Sequence, residues 1–110
     1  MTKVTILKNK KNEYVGFKAV GHAGYGEAGE DIVCAAISVL TINTINAIDA
    51  YTDDEFSLKT DEKTGSMVFQ LNDIPSKETT LLLDTMVLGL QTMEDNTEYE
   101  DYIDLIFEEV

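Results

Sequence analysis

The chain has 110 residues, a length that predicts a single domain spanning 1–110 with a modest core, and its 44% hydrophobic content argues against wholesale disorder. Its 21 acidic residues face 8 lysines and no arginine, so a formal charge of −13 argues against direct nucleic-acid binding, which rests on cationic neutralisation. One cysteine and one histidine exclude an intrachain disulfide and a structural zinc site of the usual Cys/His kind, and neither a metal nor any other cofactor is expected.

Lys3–Lys8 and Glu13–Val20 alternate in polarity and are rich in Val, Ile, Tyr and Phe, which predicts a β-hairpin. Gly21–Glu30 then holds four of the seven glycines (Gly21, Gly24, Gly26, Gly29), a density that predicts a loop able to move. From Asp31 to Ala50 there is no Gly or Pro and apolar residues recur at helical spacing, so a helix is predicted, with Glu30 and Asp31 suited to its N-terminus. Glu55–Thr60 and Met67–Leu71 read as a second hairpin across Asp61–Gly65. Pro75 punctuates, Ser76 is a candidate N-cap, and a second helix runs to about Glu94. In the last segment Ile103, Leu105 and Phe107 alternate with Tyr102, Asp104 and Ile106 as in a strand, although its acidic start also suits a helix. The expected class is α+β, in the order β-β-α-β-β-α-β: an antiparallel or mixed sheet with two helices packed on it.

The first helix is apolar on two sides. Val33, Ala36, Ile37, Leu40, Ala47 and Ile48 form one face, and Ile32, Ala35, Val39 and Ile42 a second. Either helix 81–94 covers the second face or a homodimer does, and the dimer is the expectation. Met1–Lys11 lacks the apolar core of a signal peptide. No segment approaches the roughly 18 uninterrupted apolar residues of a membrane span. The cytoplasm is therefore the expected location, without membrane contact, and a thiol stays reduced there.

Charge divides the chain. In residues 1–50 five lysines balance five acids, whereas 51–110 carry 16 acids against Lys59, Lys63 and Lys77. Solubility is the ordinary meaning of such a tract; attraction of a basic partner is the sharper one.

A narrower stripe of the first helix is polar or reactive: Asp31, Cys34, Ser38 and Thr41, spaced to share one side. Cys34 falls in the first turn of the expected helix, where unpaired N–H groups stabilise a thiolate. His22 stands twelve residues earlier, at the mouth of the glycine loop. These are the two groups that Cys–His acyl chemistry uses. The competing reading is that Cys34 is a small buried residue and His22 a turn residue.

Residues 21–38, GHAGYGEAGEDIVCAAIS, closely resemble the signature of the ribosomal-processing cysteine protease Prp family: Gly-His-Ala, a glycine-containing loop, then Asp-x-Val-Cys-Ala-Ala/Gly-x-Ser. Leu90, Gln91 and Thr92 near the end of the second helix are similar too. The resemblance implies a dimeric cysteine endopeptidase that removes a short N-terminal extension from large ribosomal subunit protein twenty-seven, a basic ribosomal protein. By motif, His22 would be the catalytic histidine and Cys34 the nucleophile, with Asp31 and Ser38 as accompanying polar residues. The oxyanion would lie against the N–H groups of Cys34 and Ala35. Asp31 either orients His22 or stabilises the helix start; Ser38 either supports the site or merely packs. The mobile glycines would let His22 reach its position when substrate orders the loop. Rival readings are a non-enzymatic acidic adaptor for a basic ribosomal protein and a thiol enzyme of another acyl transfer.

Overall fold

Alternating apolar residues lay down five strands that join in one sheet. The structure is a computed structural model and describes residues 1–21 and 28–110. Strands β1 (Thr2–Lys8) and β2 (Tyr14–Val20) are antiparallel. In the turn between them the Asn9 side-chain oxygen accepts from the N–H groups of Lys11 and Glu13. Strands β3 (Phe56–Asp61) and β4 (Ser66–Leu71) form the second hairpin, and β4 pairs antiparallel with β2. Strand β5 (Ile103–Glu109) lies parallel to β1, so the order is β3-β4-β2-β1-β5 and the sheet is mixed. Each hairpin strand begins and ends within one residue of its expected bounds. Both readings of the last segment hold in part: a short 3-10 turn at Glu100–Tyr102 precedes the strand.

The pairing makes both helices crossovers. Strands β2 and β3 run the same way and are joined by α1 (Ala28–Tyr51); β4 and β5 run the same way and are joined by α2 (Lys77–Glu94). The two crossovers travel in opposite directions across the sheet from oppositely directed strands, so a common hand places both helices on one face. That face carries the core. Ile6, Phe17 and Phe69 are directly paired across three strands, and the Phe17 and Phe69 rings stack 5.2 Å apart. Val33, Ile37, Ile45 and Ile48 of α1 and Leu83, Met86, Val87 and Leu90 of α2 close over them. Thr41 and Thr44 lie in the same buried stripe at no polar cost, because their hydroxyls donate to the carbonyls of Ile37 and Leu40. Lys3, Lys18, Lys59 and Gln70 project from the opposite, exposed face.

The helices are antiparallel. A Cβ on Gly89 of α2 would stand 3.2 Å from a Leu40 methyl, so glycine permits their close approach. At their far end the Thr52 and Thr79 hydroxyls are 3.4 Å apart. Ser76 is the N-cap, accepting from the Thr79 N–H. Asp54 accepts from the Ser76 N–H at 2.8 Å, tying the exit of α1 to the entry of α2. On the outer edge of the sheet, the Glu94 carboxylate accepts from the Leu105 N–H of β5.

The structure bears on three expectations about α1. It begins at Ala28 rather than Asp31, so Gly29 is helical and not part of the loop. Its second apolar face is not covered by α2: Ile32, Val39 and Ile42 are 55%, 68% and 45% exposed. Asp31–Tyr51 reaches the length and mean hydropathy, 1.7, of a membrane span, although Thr and Asn residues interrupt its apolar run. In this fold the same segment is the helix that covers the sheet.

The Asp54 carboxyl is held below the usual carboxylate range, first by the Ser76 backbone N–H and then by the Thr79 side chain. A depressed carboxyl contributes stability above its unfolded value, about 3.9, and loses it as pH falls through the lower folded value. Asp54→Asn should therefore unfold at lower urea than the wild type at pH 7. That gap should persist down to about pH 4 and close below it.

Candidate active site

The cysteine sits where helix and strand converge. Cys34 is the seventh residue of α1 and half-buried. Its neighbours Val33 and Ile37 enter the core, which turns Cys34 toward the end of β2. A glycine stands there. A Cβ on Gly21 would lie 3.4 Å from the Cys34 Sγ, 3.2 Å from the Thr2 Oγ1 and 3.4 Å from the Thr2 Cγ2. The side-chain position of Gly21 is thus bounded by the thiol and by the first residue of β1, and the residue bonded to Gly21 is His22.

A third element reaches the same point. Gly65, in the turn between β3 and β4, has φ +66°, and a Cβ there would stand only 2.6 Å from the Gly21 carbonyl oxygen. Left-handed backbone and close approach both require glycine at this position. Thr2 also pairs with Ile103. The acidic stretch Glu94, Asp95, Glu98, Glu100 and Asp101 runs directly up to Ile103, and the antiparallel helix pair places it at the Cys34 end of α1.

The other expected site residues divide. His22, Gly24 and Gly26 lie outside the described residues. Asp31 and Ser38 lie one turn before and one turn after Cys34, and both are exposed. Ser38 lines a shallow groove with Val39, Ile42, Asn43 and Asn46, and its carbonyl accepts from the Thr41 hydroxyl at 3.3 Å. Cys34 and Ala35, whose N–H groups are the expected oxyanion donors, are the seventh and eighth residues of α1. Donors without an intrahelical partner belong to the first four residues, 28–31. Thr2 and Gly65 were missed altogether. Only contacts between distant parts of the chain bring them to the thiol; Gly65 gave a turn signal and nothing more.

Comparison with known proteins agrees over nearly the whole chain. Residues 1–104 match the family model of the cysteine protease Prp. A ribosomal processing cysteine protease Prp of Staphylococcus aureus is 34% identical over 105 residues, covering 96% of this chain and 97% of that protein. A crystal structure of the essential ribosomal processing protease Prp from S. aureus with a substrate peptide has a TM-score of 0.89 at 32% identity, covering 98% of this chain and 100% of that one. Another, with a covalently linked product peptide, has a TM-score of 0.85 at 33% identity and the same coverage. The order of elements, the mixed sheet and the match from residue 1 to residue 104 lead to one affiliation: the chain belongs to the Prp family of ribosomal processing cysteine proteases.

Proposed function

We propose that this chain is a cysteine endopeptidase that removes the N-terminal extension of large ribosomal subunit protein twenty-seven during ribosome maturation, with Cys34 as nucleophile and His22 as base and then acid. The observation that carries the reading is the nearness of Gly21, the residue bonded to His22, to the thiol: a Cβ built on it would lie 3.4 Å from the Cys34 Sγ. The thiolate attacks the scissile carbonyl carbon, forming a C–S bond. Collapse of the tetrahedral intermediate breaks the amide C–N bond as His22 protonates the departing nitrogen. Water then hydrolyses the thioester and returns the thiol. The S. aureus relative holds a substrate peptide in one structure and a covalently linked product peptide in another, which supports covalent catalysis for this chain. Asp31 and Ser38 are assigned supporting positions one turn to either side of the nucleophile, and Gly21 is bonded to His22.

The whole chain, 1–110, acts in the cytoplasm as one protease domain without membrane or nucleic-acid contact, and it works as a homodimer. Exposure of Ile32, Val39 and Ile42 in one stripe supports the dimer, since a second copy would remove that apolar surface from water. The acidic stretch beside Ile103 supports a basic substrate, because its field lies at the Cys34 end of the helices.

Cys34→Ala should lower cleavage of a peptide spanning the extension by at least about a thousandfold with the fold intact. His22→Ala should do nearly the same. An acidic adaptor would instead keep binding the ribosomal protein in the Cys34→Ala variant and show no thiol-dependent turnover. Raising salt from about 50 mM to about 500 mM should increase KM several-fold for the full-length basic substrate and leave a short neutral peptide unaffected. Equal effects would return the acidic half to a solubility role. In sedimentation velocity the wild type should run as a dimer and Val39→Asp as a folded monomer; a monomeric wild type would remove the dimer.

A further inference from the structure

Burial stops abruptly at β3. Ile6, Phe17, Phe69 and Leu58 lie in one register row on the helix side of the sheet. The first three are 0% exposed, whereas Leu58 is 43% exposed. In the next row toward the Cys34 end, Ala19 is buried, Met67 half-buried and Thr60 exposed. The path of α1 accounts for this. It starts after the end of β2 and finishes before the start of β3, crossing obliquely, so Phe56 packs against the core while a wedge stays open over Leu58 and Thr60. The other half of the sheet belongs to α2, whose Glu94 carboxylate reaches the Leu105 N–H of β5. One flank of α1 turns Leu40 to Gly89 of α2. Successive helical residues turn by about 100°, which puts Cys34 and Ser38 on the flank opposite, beyond Val33 and Ile37 and toward the wedge.

The backbone of β3 is open at the same place. The Asn72 N–H donates to the Glu55 carbonyl, so in the antiparallel ladder Ser57, Lys59 and Asp61 turn their backbone groups to β4. Phe56, Leu58 and Thr60 therefore direct theirs outward, and among the described residues no side chain hydrogen-bonds to them. The opposite edge differs, since Glu94 occupies the outward Leu105 N–H of β5. A bare edge strand is a template for another strand, and peptides are commonly recognised by such addition. We propose that this edge and wedge bind the substrate: a stretch of the polypeptide to be cleaved adds to β3 as an extended strand, pairs with the backbone of Leu58 and Thr60, and rests an apolar side chain on Leu58, which makes Leu58 a specificity-determining residue. This rests on the endopeptidase reading and extends it. The occupant is substrate because the wedge opens on the flank of α1 that carries Cys34; the stripe assigned to a second copy, Ile32, Val39 and Ile42, lies on the side of α1 away from the sheet. A strand added to β3 stands three spacings, about 14 Å, from β2, and about five extended residues cover that distance to the thiol.

The test compares full-length Thr60→Pro, Leu58→Ser and Ser57→Ala with the wild type, using the extension peptide as substrate. Thr60→Pro removes an outward N–H and leaves the β3–β4 ladder intact, which an edge strand tolerates. Ser57→Ala is the control, because its side chain lies on the opposite face of the same strand. Thr60→Pro and Leu58→Ser should each raise KM more than about fivefold with kcat changed less than about twofold, and Ser57→Ala should match the wild type. A peptide of about four residues spanning the scissile bond is too short to reach β3, so its turnover should be the same in every variant. Unchanged KM for the extension peptide in folded Leu58→Ser and Thr60→Pro would overturn the proposal, as would equal losses with the short peptide. A shift of Leu58→Ser toward monomer in sedimentation velocity, with KM unchanged, would give the wedge to a second copy instead. If Thr60→Pro does not fold, Leu58→Ser decides by the same criteria. Binding of the extension peptide to Cys34→Ala, by fluorescence anisotropy, keeps the two readings apart. Binding that Leu58→Ser weakens, without turnover by the wild type, defeats the endopeptidase reading alone. Turnover with binding indifferent to both substitutions defeats the β3 site alone, and absence of turnover and binding defeats both.

Discussion

The packing of α1 across the Ile6–Phe17–Phe69 row is the contact on which the rest depends. Those three residues share a register line across β1, β2 and β4, and Val33 and Ile37 of α1 belong to the same buried cluster. Once Val33 is seated, the helical period turns Cys34 to the edge of that cluster. Once Phe17 and Ala19 are seated, β2 runs out at Val20, and Gly21 arrives against the thiol. The site is therefore a consequence of where two core elements stop. Loosening the aromatic row moves the thiol relative to the strand end without touching either directly, and removing a buried Phe costs about 3–5 kcal/mol before any effect on chemistry.

The two crossovers explain why one end of the molecule collects the site. Because β2 hands over to α1 and β5 begins opposite Thr2, the start of α1, the end of β2 and the start of β5 all meet at that end. The acidic stretch after α2 arrives there for the same reason. The opposite end holds a different network, in which Thr52, Asp54, Ser76 and Thr79 fasten the helices together. Its carboxylate at Asp54 accepts from the Ser76 N–H and is held by the Thr79 side chain as well.

Much of this was legible in the residues. Alternation placed four strands to within one residue, and Ser76 announced its own helix, because short-range patterns and caps are local. The start of α1 was misplaced for a local reason as well: Gly29 was read as a loop residue, but a glycine in a first turn forfeits only about 1 kcal/mol, and the helix behind it is long enough to carry that. Ile32, Val39 and Ile42 were recognised as a second face, yet whether α2 covered it depended on how the helices cross, which no spacing records. Thr2 and Gly65 were invisible as site residues. Their relation to Cys34 exists only after strands at both ends of the chain have paired.

The surroundings of Cys34 also weigh between the two meanings of a lone cysteine. A structural cysteine packs among aliphatic side chains, where its thiol acts as a small apolar group. The apolar cluster here takes Val33 and Ile37 on either side in sequence and stops short of Cys34. On the strand side the sulfur and the Thr2 hydroxyl both border the space that a side chain at Gly21 would fill. Glycine leaves that space open and sets no side chain of its own against the thiol. The half-burial of Cys34 fits the same account: enough contact to fix its rotamer, and enough exposure for a carbonyl to be reached.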